Sequence, residues 1–206
     1  IYLHYALDQW FKENFQSKDN VMVRYADDAI FFFKREEELK NFEEKLRSRV
    51  AQFHLILNEE KTQSLVMDKK SHLDFTFLGF TFYWKKQGRR RIFKLKTSKE
   101  KLIKSIQDFY RWIKENRNRY KLSVLWSKAK ARIYGHINYF GYWMNSLKIN
   151  HFIWEAKRSL YKWLNRRSQK RSYSWEGFKE RLKFFPLHSP LEEIKWKQVG
   201  WSFGRI

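Results

Sequence analysis

The sequence predicts an α+β fold, from two sets of paired apolar runs in its first half and three amphipathic stripes of helical period in its second. A third observation divides the chain by charge. Residues 1–97 hold 19 Lys+Arg and 14 Asp+Glu, whereas residues 98–206 hold 25 and 8. The expected order is therefore antiparallel hairpins with helices, then an all-helical bundle with basic outer faces, with a boundary near Thr97-Ser98.

Each element has its own warrant. Ile1 to Phe11 places apolar residues at helical spacing and reads as an amphipathic helix. A chain that opens inside an element is expected to be a piece of something longer. Val21-Met22-Val23-Arg24-Tyr25 and Ala29-Ile30-Phe31-Phe32-Phe33 are rich in β-branched and aromatic residues, so they read as the strands of a hairpin. Glu36 to about Phe53 carries Leu39, Phe42, Leu46 and Val50 on one helical face. Leu55-Ile56-Leu57 is a short apolar run, and Thr62–Met67 reads as a strand. Phe75–Trp84 and Arg91–Lys96 read as a second hairpin across residues 85–90.

In the second half Ser98 is a helix cap, followed by a stripe of Leu102, Ile106, Phe109, Tyr110 and Ile113. Lys101, Lys104 and Arg111 lie off that stripe. Leu122, Trp126, Ala129, Ile133 and Ile137 form the next, with Lys128 and Arg132 as its basic candidates. Phe152, Ile153, Ala156, Leu160 and Leu164 form the third, with Lys157, Arg158 and Lys162 away from it. The stripes are read as core and the basic faces as functional surface. No repeat or low-complexity linker interrupts the 206 residues.

Composition narrows the function classes. A formal charge of +22 points to a polyanion, most simply nucleic acid. Aromatic residues make up 19% of the chain and lie among the basic ones, which favours nucleic acid over lipid because bases stack on ring faces. The absence of Cys excludes disulfides, a Cys-based zinc site and a Cys nucleophile, and fits a reducing intracellular compartment. No apolar run reaches membrane-spanning length, and no charged-then-apolar leader opens the sequence, so neither a membrane partner nor a signal peptide is expected.

Tyr25-Ala26-Asp27-Asp28 carries the chemistry. Two adjacent carboxylates at a hairpin turn repel one another, and a hard cation such as Mg²⁺ relieves the repulsion while keeping sites for water or phosphate. Asp is also a good turn residue, and on the residues alone both readings stay open. The flanks weigh against the plain turn, since no Gly or Asn supplies the usual tight hairpin geometry.

Beyond these four residues, ordered blocks along nearly the whole chain resemble the reverse transcriptase/maturases of group II introns. Tyr25-Ala26-Asp27-Asp28 resembles the family's polymerase signature, and Ile1–Asp8 the helix after its template-proximal block. Leu57–Thr62 (LNEEKT) and Phe77–Phe80 (FLGF) resemble its next two blocks. Arg132–Tyr142 (RIYGHINYFGY) is similar to the central maturase helix. Arg166–Gln169, Trp175–Phe178 and Phe185–Leu187 are similar to the C-terminal region.

The resemblance implies a partial polymerase palm over 1–97, a thumb/maturase domain over 98–165 and a basic DNA-binding tail over 166–206. It implies that Asp27 is a direct metal ligand, with Asp28 supporting it, in a two-Mg²⁺ site for nucleotidyl transfer. Tyr25 would shape the nucleotide site, and Lys61 would lie near the triphosphate or primer backbone. Leu78, Gly79 and Phe80 would form the primer grip. Lys101, Lys104, Arg111, Lys128, Arg132, Lys157, Arg158, Arg166, Arg167, Lys170 and Arg171 would hold nucleic acid.

The implied partners are dNTPs, an RNA template with a DNA primer, group II intron RNA and target DNA, with a second copy of the chain also a candidate. The implied compartment is bacterial cytoplasm near the nucleoid, or an organelle. The family's fingers, its first catalytic aspartate and its Pro-Gln-Gly block would precede Ile1, so residues 1–206 by themselves are expected not to polymerise. Two alternatives remain: a non-catalytic RNA-binding maturase, and a bacterial reverse transcriptase with a non-intron role such as defence.

Overall fold

Rows of phenylalanine set the core of the first of two compact units, Ile1–Leu73 and Asp74–Ile206, in a computed structural model that describes residues 2–68, 72–168, 173–184 and 186–187. The opening helix begins with wide π-type turns over His4–Gln9 and tightens into α1, Trp10–Asn14. Arg49 donates from Nε to the Ala6 carbonyl (3.0 Å) and from Nη2 to the Tyr5 carbonyl (3.3 Å), satisfying acceptors in the π turns. Strands β1, Val21–Tyr25, and β2, Asp28–Phe32, pair antiparallel with Met22 opposite Phe31 and Tyr25 opposite Asp28. Helix α2 spans Glu36–Gln52, and three acidic residues in its first turn suit the helix dipole.

Phe42 of α2 is 2% exposed and meets Phe31 at 4.5 Å, Phe33 at 5.0 Å and Phe15 at 5.2 Å between ring centroids. Leu7, Phe11 and Leu46 complete this core. The opposite face of the β1–β2 ribbon leaves Val21, Val23, Tyr25 and Phe32 exposed.

The segment expected as a strand at Thr62–Met67 has no strand partner among the described residues. It is instead an exposed irregular segment, with Val66 68% exposed. Local side-chain bonds take the backbone another way: the Thr62 hydroxyl donates to the Asn58 carbonyl at 2.8 Å, and Ser64 bonds to Glu43.

The second unit opens with a three-stranded antiparallel meander: β3, Asp74–Phe77; β4, Phe80–Gln87; and β5, Arg90–Thr97. The run expected as one strand, Phe75–Trp84, is thus broken in the middle. Leu78 (φ +50°) and Gly79 (φ +77°) make a two-residue turn between paired Phe77 and Phe80. Positive φ at both central residues is the tight-hairpin geometry whose twist matches the strands.

Four helices follow: α3, Lys99–Asn116; α4, Leu122–Phe140; α5, Ser146–Leu164; and α6, Trp175–Phe184. Ser98 caps α3 by accepting from the Lys101 amide at 3.3 Å, as the sequence predicts. The predicted stripes are the core: Ile113, Ala129, Ile133 and Leu160 are fully buried, and Leu125 of α4 and Phe178 of α6, outside those stripes, join them.

The sheet is part of this same core. Phe80 packs on Phe140 and Tyr142, and Asn145, 1% exposed, joins β5 to the end of α4. Its Oδ1 accepts from the Thr97 amide (2.8 Å), and its Nδ2 donates to Thr97 Oγ1 (2.7 Å) and the Phe140 carbonyl (2.8 Å). The charge boundary at Thr97-Ser98 therefore falls inside a packed unit, at the β5–α3 junction. No described helix is long and apolar enough to cross a membrane. The architecture is α+β, with two small antiparallel sheets and six helices among the described residues.

Candidate active site and nucleic-acid interface

Alternation along β1 puts Met22 and Arg24 on the inward face and Val21, Val23 and Tyr25 on the other. Ala26 and Asp27 form the two-residue turn, and Asp28 is the first residue of β2. Ala26 sits at φ +56°, the left-handed region that glycine fills without strain. The hairpin turns tightly without the Gly or Asn that such turns favour, and the backbone carries a conformational cost of about 1 kcal/mol at its tip. Tyr25, Asp27 and Asp28 are all exposed. Two hard oxygen donors on a short rigid turn, open to solvent, suit a divalent cation that retains water and substrate oxygens. Among the described residues no three His, Cys, Asp or Glu side chains converge into a group that could hold a metal ion.

What holds the turn is an arginine that the sequence reading passed over. Arg24 donates from Nε to Asp8 Oδ1 (2.6 Å) and from Nη2 to Asp8 Oδ2 (2.5 Å), a two-pronged pair to the opening helix. Its Nη1 donates to the carbonyl of Ala26 at 2.6 Å, directly at the strained turn. Both side chains are about four-fifths covered. The hydrogen bond from Arg24 holds the Asp8 carboxyl below its usual range, and the same bond raises the guanidinium. A signal was present in the alternation: an arginine sharing the inward face with Met22 requires a buried acceptor.

Lys61 lies exposed in a turn where its amide donates to the Asn58 carbonyl at 3.1 Å. Leu78 and Gly79 form the β3–β4 turn and Phe80 opens β4, and this tip is bolted to the helical core. The Ser98 amide donates to the Gly79 carbonyl at 2.9 Å, and the Tyr139 hydroxyl to the Leu78 carbonyl at 3.1 Å. A Cβ on Gly79 would stand 3.0 Å from Lys101 Cγ, so the lysine stem crosses directly over the glycine. This is a turn tip rather than a strand bulge.

The basic candidates divide by environment. Lys101, Lys104, Arg111, Lys128, Arg132, Arg158 and Arg166 are exposed on the helices or just after α5. Several lie over aromatic rings: Arg132 over Trp112 at 4.7 Å, Arg158 over Trp154 at 4.4 Å and Arg166 over Trp163 at 5.3 Å. Arg167 is half-buried and donates from Nη2 to the Tyr120 carbonyl at 3.2 Å. Lys157 is also half-buried, and burial pushes its ammonium below the ordinary lysine range. Its placement is therefore inward of the basic face. Lys170 and Arg171 lie outside the described residues.

His136, within the maturase-like helix, stacks on Phe152 at 3.7 Å between centroids. Burial lowers its pKa from 6.5 to about 4, so it is a neutral packing residue near neutral pH.

No curated protein matches this chain. Residues 1–82, which contain the Asp8–Arg24 pair, the Tyr25-Ala26-Asp27-Asp28 hairpin and the Leu78-Gly79 turn, match the family model of reverse transcriptase (RNA-dependent DNA polymerase).

Proposed function

We propose that this chain forms the carboxylate-bearing palm segment and the nucleic-acid-holding helices of an RNA-directed DNA polymerase of the group II intron type. The observation that carries the reading is the pair Asp27-Asp28, exposed on a tight, arginine-braced hairpin inside the stretch that matches the reverse transcriptase family. Asp27 would ligate Mg²⁺ and Asp28 would support it, with the remaining positions open to water, substrate oxygens and further ligands. Mg²⁺ held there would supply Lewis-acid activation of a primer hydroxyl and charge stabilisation for a leaving pyrophosphate.

The chain's own residues would do the rest. Arg24 fixes the turn carbonyl and so the direction in which both carboxylates project. The Leu78-Gly79 tip, held by Ser98 and Tyr139, would meet the primer backbone where glycine allows close approach. Lys61 would neutralise a nearby phosphate. The exposed cations of the helical unit would hold the RNA template, the DNA primer and intron RNA through phosphate contacts, with Arg166 toward target DNA.

The order of maturase-like blocks from Arg132 onward favours the intron type over other bacterial reverse transcriptases. The test is Asp27→Ala in the protein that carries this chain. Loss of RNA-templated primer extension with retained intron splicing supports one protein with both activities. Unchanged extension refutes the polymerase assignment, and no splicing in either form refutes the intron assignment.

A further inference from the structure

Along α5 runs an open groove of about 580 Å³, walled by Tyr110 of α3 on one side and Trp175 of α6 on the other. Its lining mixes rings and cations. Arg158 stacks on Trp154 at 4.4 Å, and Lys162 donates to the Tyr110 hydroxyl at 2.8 Å. Trp154 is 50% exposed, an unusual place for an indole with no core to fill. One acid, Glu155, lies among them, and its contacts with Arg158 (3.4 Å) and His151 (3.8 Å) both fall on Oε1.

From this arrangement we infer a pocket for an unpaired base of bound RNA, stacked on the Trp154–Arg158 face with its phosphates on Lys162 and neighbouring cations. The inference rests on the reading of the helical unit as a nucleic-acid-binding body, and names what that body recognises. Unpaired RNA bases are held in this manner, by stacking on rings and guanidinium planes and by bonds to their edges. Glu155 supplies the edge contact. A carboxylate only accepts, so its second oxygen suits a base with an exocyclic amine, which offers two donor hydrogens, over uracil, which offers a single imino N–H between two carbonyl acceptors that the carboxylate repels. Adenine and cytosine should therefore bind ahead of uracil.

The experiment uses the full chain and fluorescein-labelled oligo(rA), oligo(rU), oligo(dA) and an RNA duplex of equal length at one salt concentration. Fluorescence anisotropy should show oligo(rA) bound more tightly than oligo(rU). Trp154→Ala should weaken oligo(rA) by about 10-fold while leaving the duplex within about twofold. Trp154→Phe should recover most of the loss, which a merely structural role would not predict. Glu155→Gln should narrow the gap between oligo(rA) and oligo(rU). Equal binding by wild type and Trp154→Ala overturns the pocket alone. The same loss on oligo(rA) and on duplex also overturns it, and a loss confined to oligo(dA) overturns the RNA assignment. A wild-type chain that binds no RNA removes the nucleic-acid reading together with the pocket.

Discussion

Asn145→Ala should be among the most damaging single changes in the second unit, although nothing in its sequence context marks it. The side chain is 1% exposed and makes three hydrogen bonds of 2.7 to 2.8 Å, two to Thr97 and one to the Phe140 carbonyl. Each bond contributes about 1 kcal/mol net, and removing the amide strands the buried Thr97 N–H, whereas the Phe140 carbonyl keeps the bond from the Tyr142 amide, so the loss should total about 3–4 kcal/mol. Equilibrium urea unfolding followed by tryptophan fluorescence reads this well, because Trp10 is the only tryptophan before residue 74. With a slope of about 1–3 kcal/mol/M, the midpoint should fall by about 1–4 M. Asn145→Asp should not rescue, since it keeps the acceptor, loses both donated bonds and buries a charge. A loss under about 1 kcal/mol for Asn145→Ala would refute the claim that this amide locks β5 to α4.

Three further outcomes follow from the same geometry. Arg24→Ala should destabilise the first unit by about 1–3 kcal/mol, between the values for exposed and buried ion pairs; thermal unfolding of residues 1–73 followed by amide exchange would measure it, and Arg24→Lys should recover little because it lacks the fork. Gly79→Ala should cost about 1–2 kcal/mol, since Gly79 has φ +77° and Lys101 lies 3.0 Å from the added methyl; urea titration checks it. His136 should make stability pH-dependent. Its folded pKa is depressed from 6.5 to about 4, so its contribution is complete above 6.5 and is lost as pH falls toward 4. The loss should reach about 3 kcal/mol, and it should be absent from the pH–stability curve of His136→Phe.

The sequence carries most of the architecture because apolar period is a local signal. Leu39, Phe42 and Leu46 on α2, and the three stripes of the bundle, pack as their spacing predicts. Ser98 is legible for the same reason, as a cap three residues before its donor. Thr62–Met67 misled because strand propensity needs a partner, and the hydroxyls of Thr62 and Ser64 found other acceptors. Leu78-Gly79 was hidden by the aromatic residues on both sides, which read as one continuous strand until the positive φ values divide it. Asp27 and Asp28 stand out in sequence, but their brace does not. The Asp8–Arg24 pair spans 16 residues, and only the fold brings the opening helix beside β1. Helix α6 and the Asn145 bonds likewise depend on contacts distant in sequence.

The claim on which the functional reading depends is that Asp27-Asp28 is a metal-holding hairpin rather than an ordinary turn. Substoichiometric Mn²⁺ added to ¹⁵N-labelled chain tests it directly, with amide line broadening as the readout. The account predicts broadening centred on Ala26–Ala29, reversed by excess Mg²⁺ and lost in Asp27→Asn. Glu36, Glu37 and Glu38, acidic residues in the first turn of α2, serve as an internal control. Broadening at those glutamates equal to or greater than that at the hairpin would contradict it.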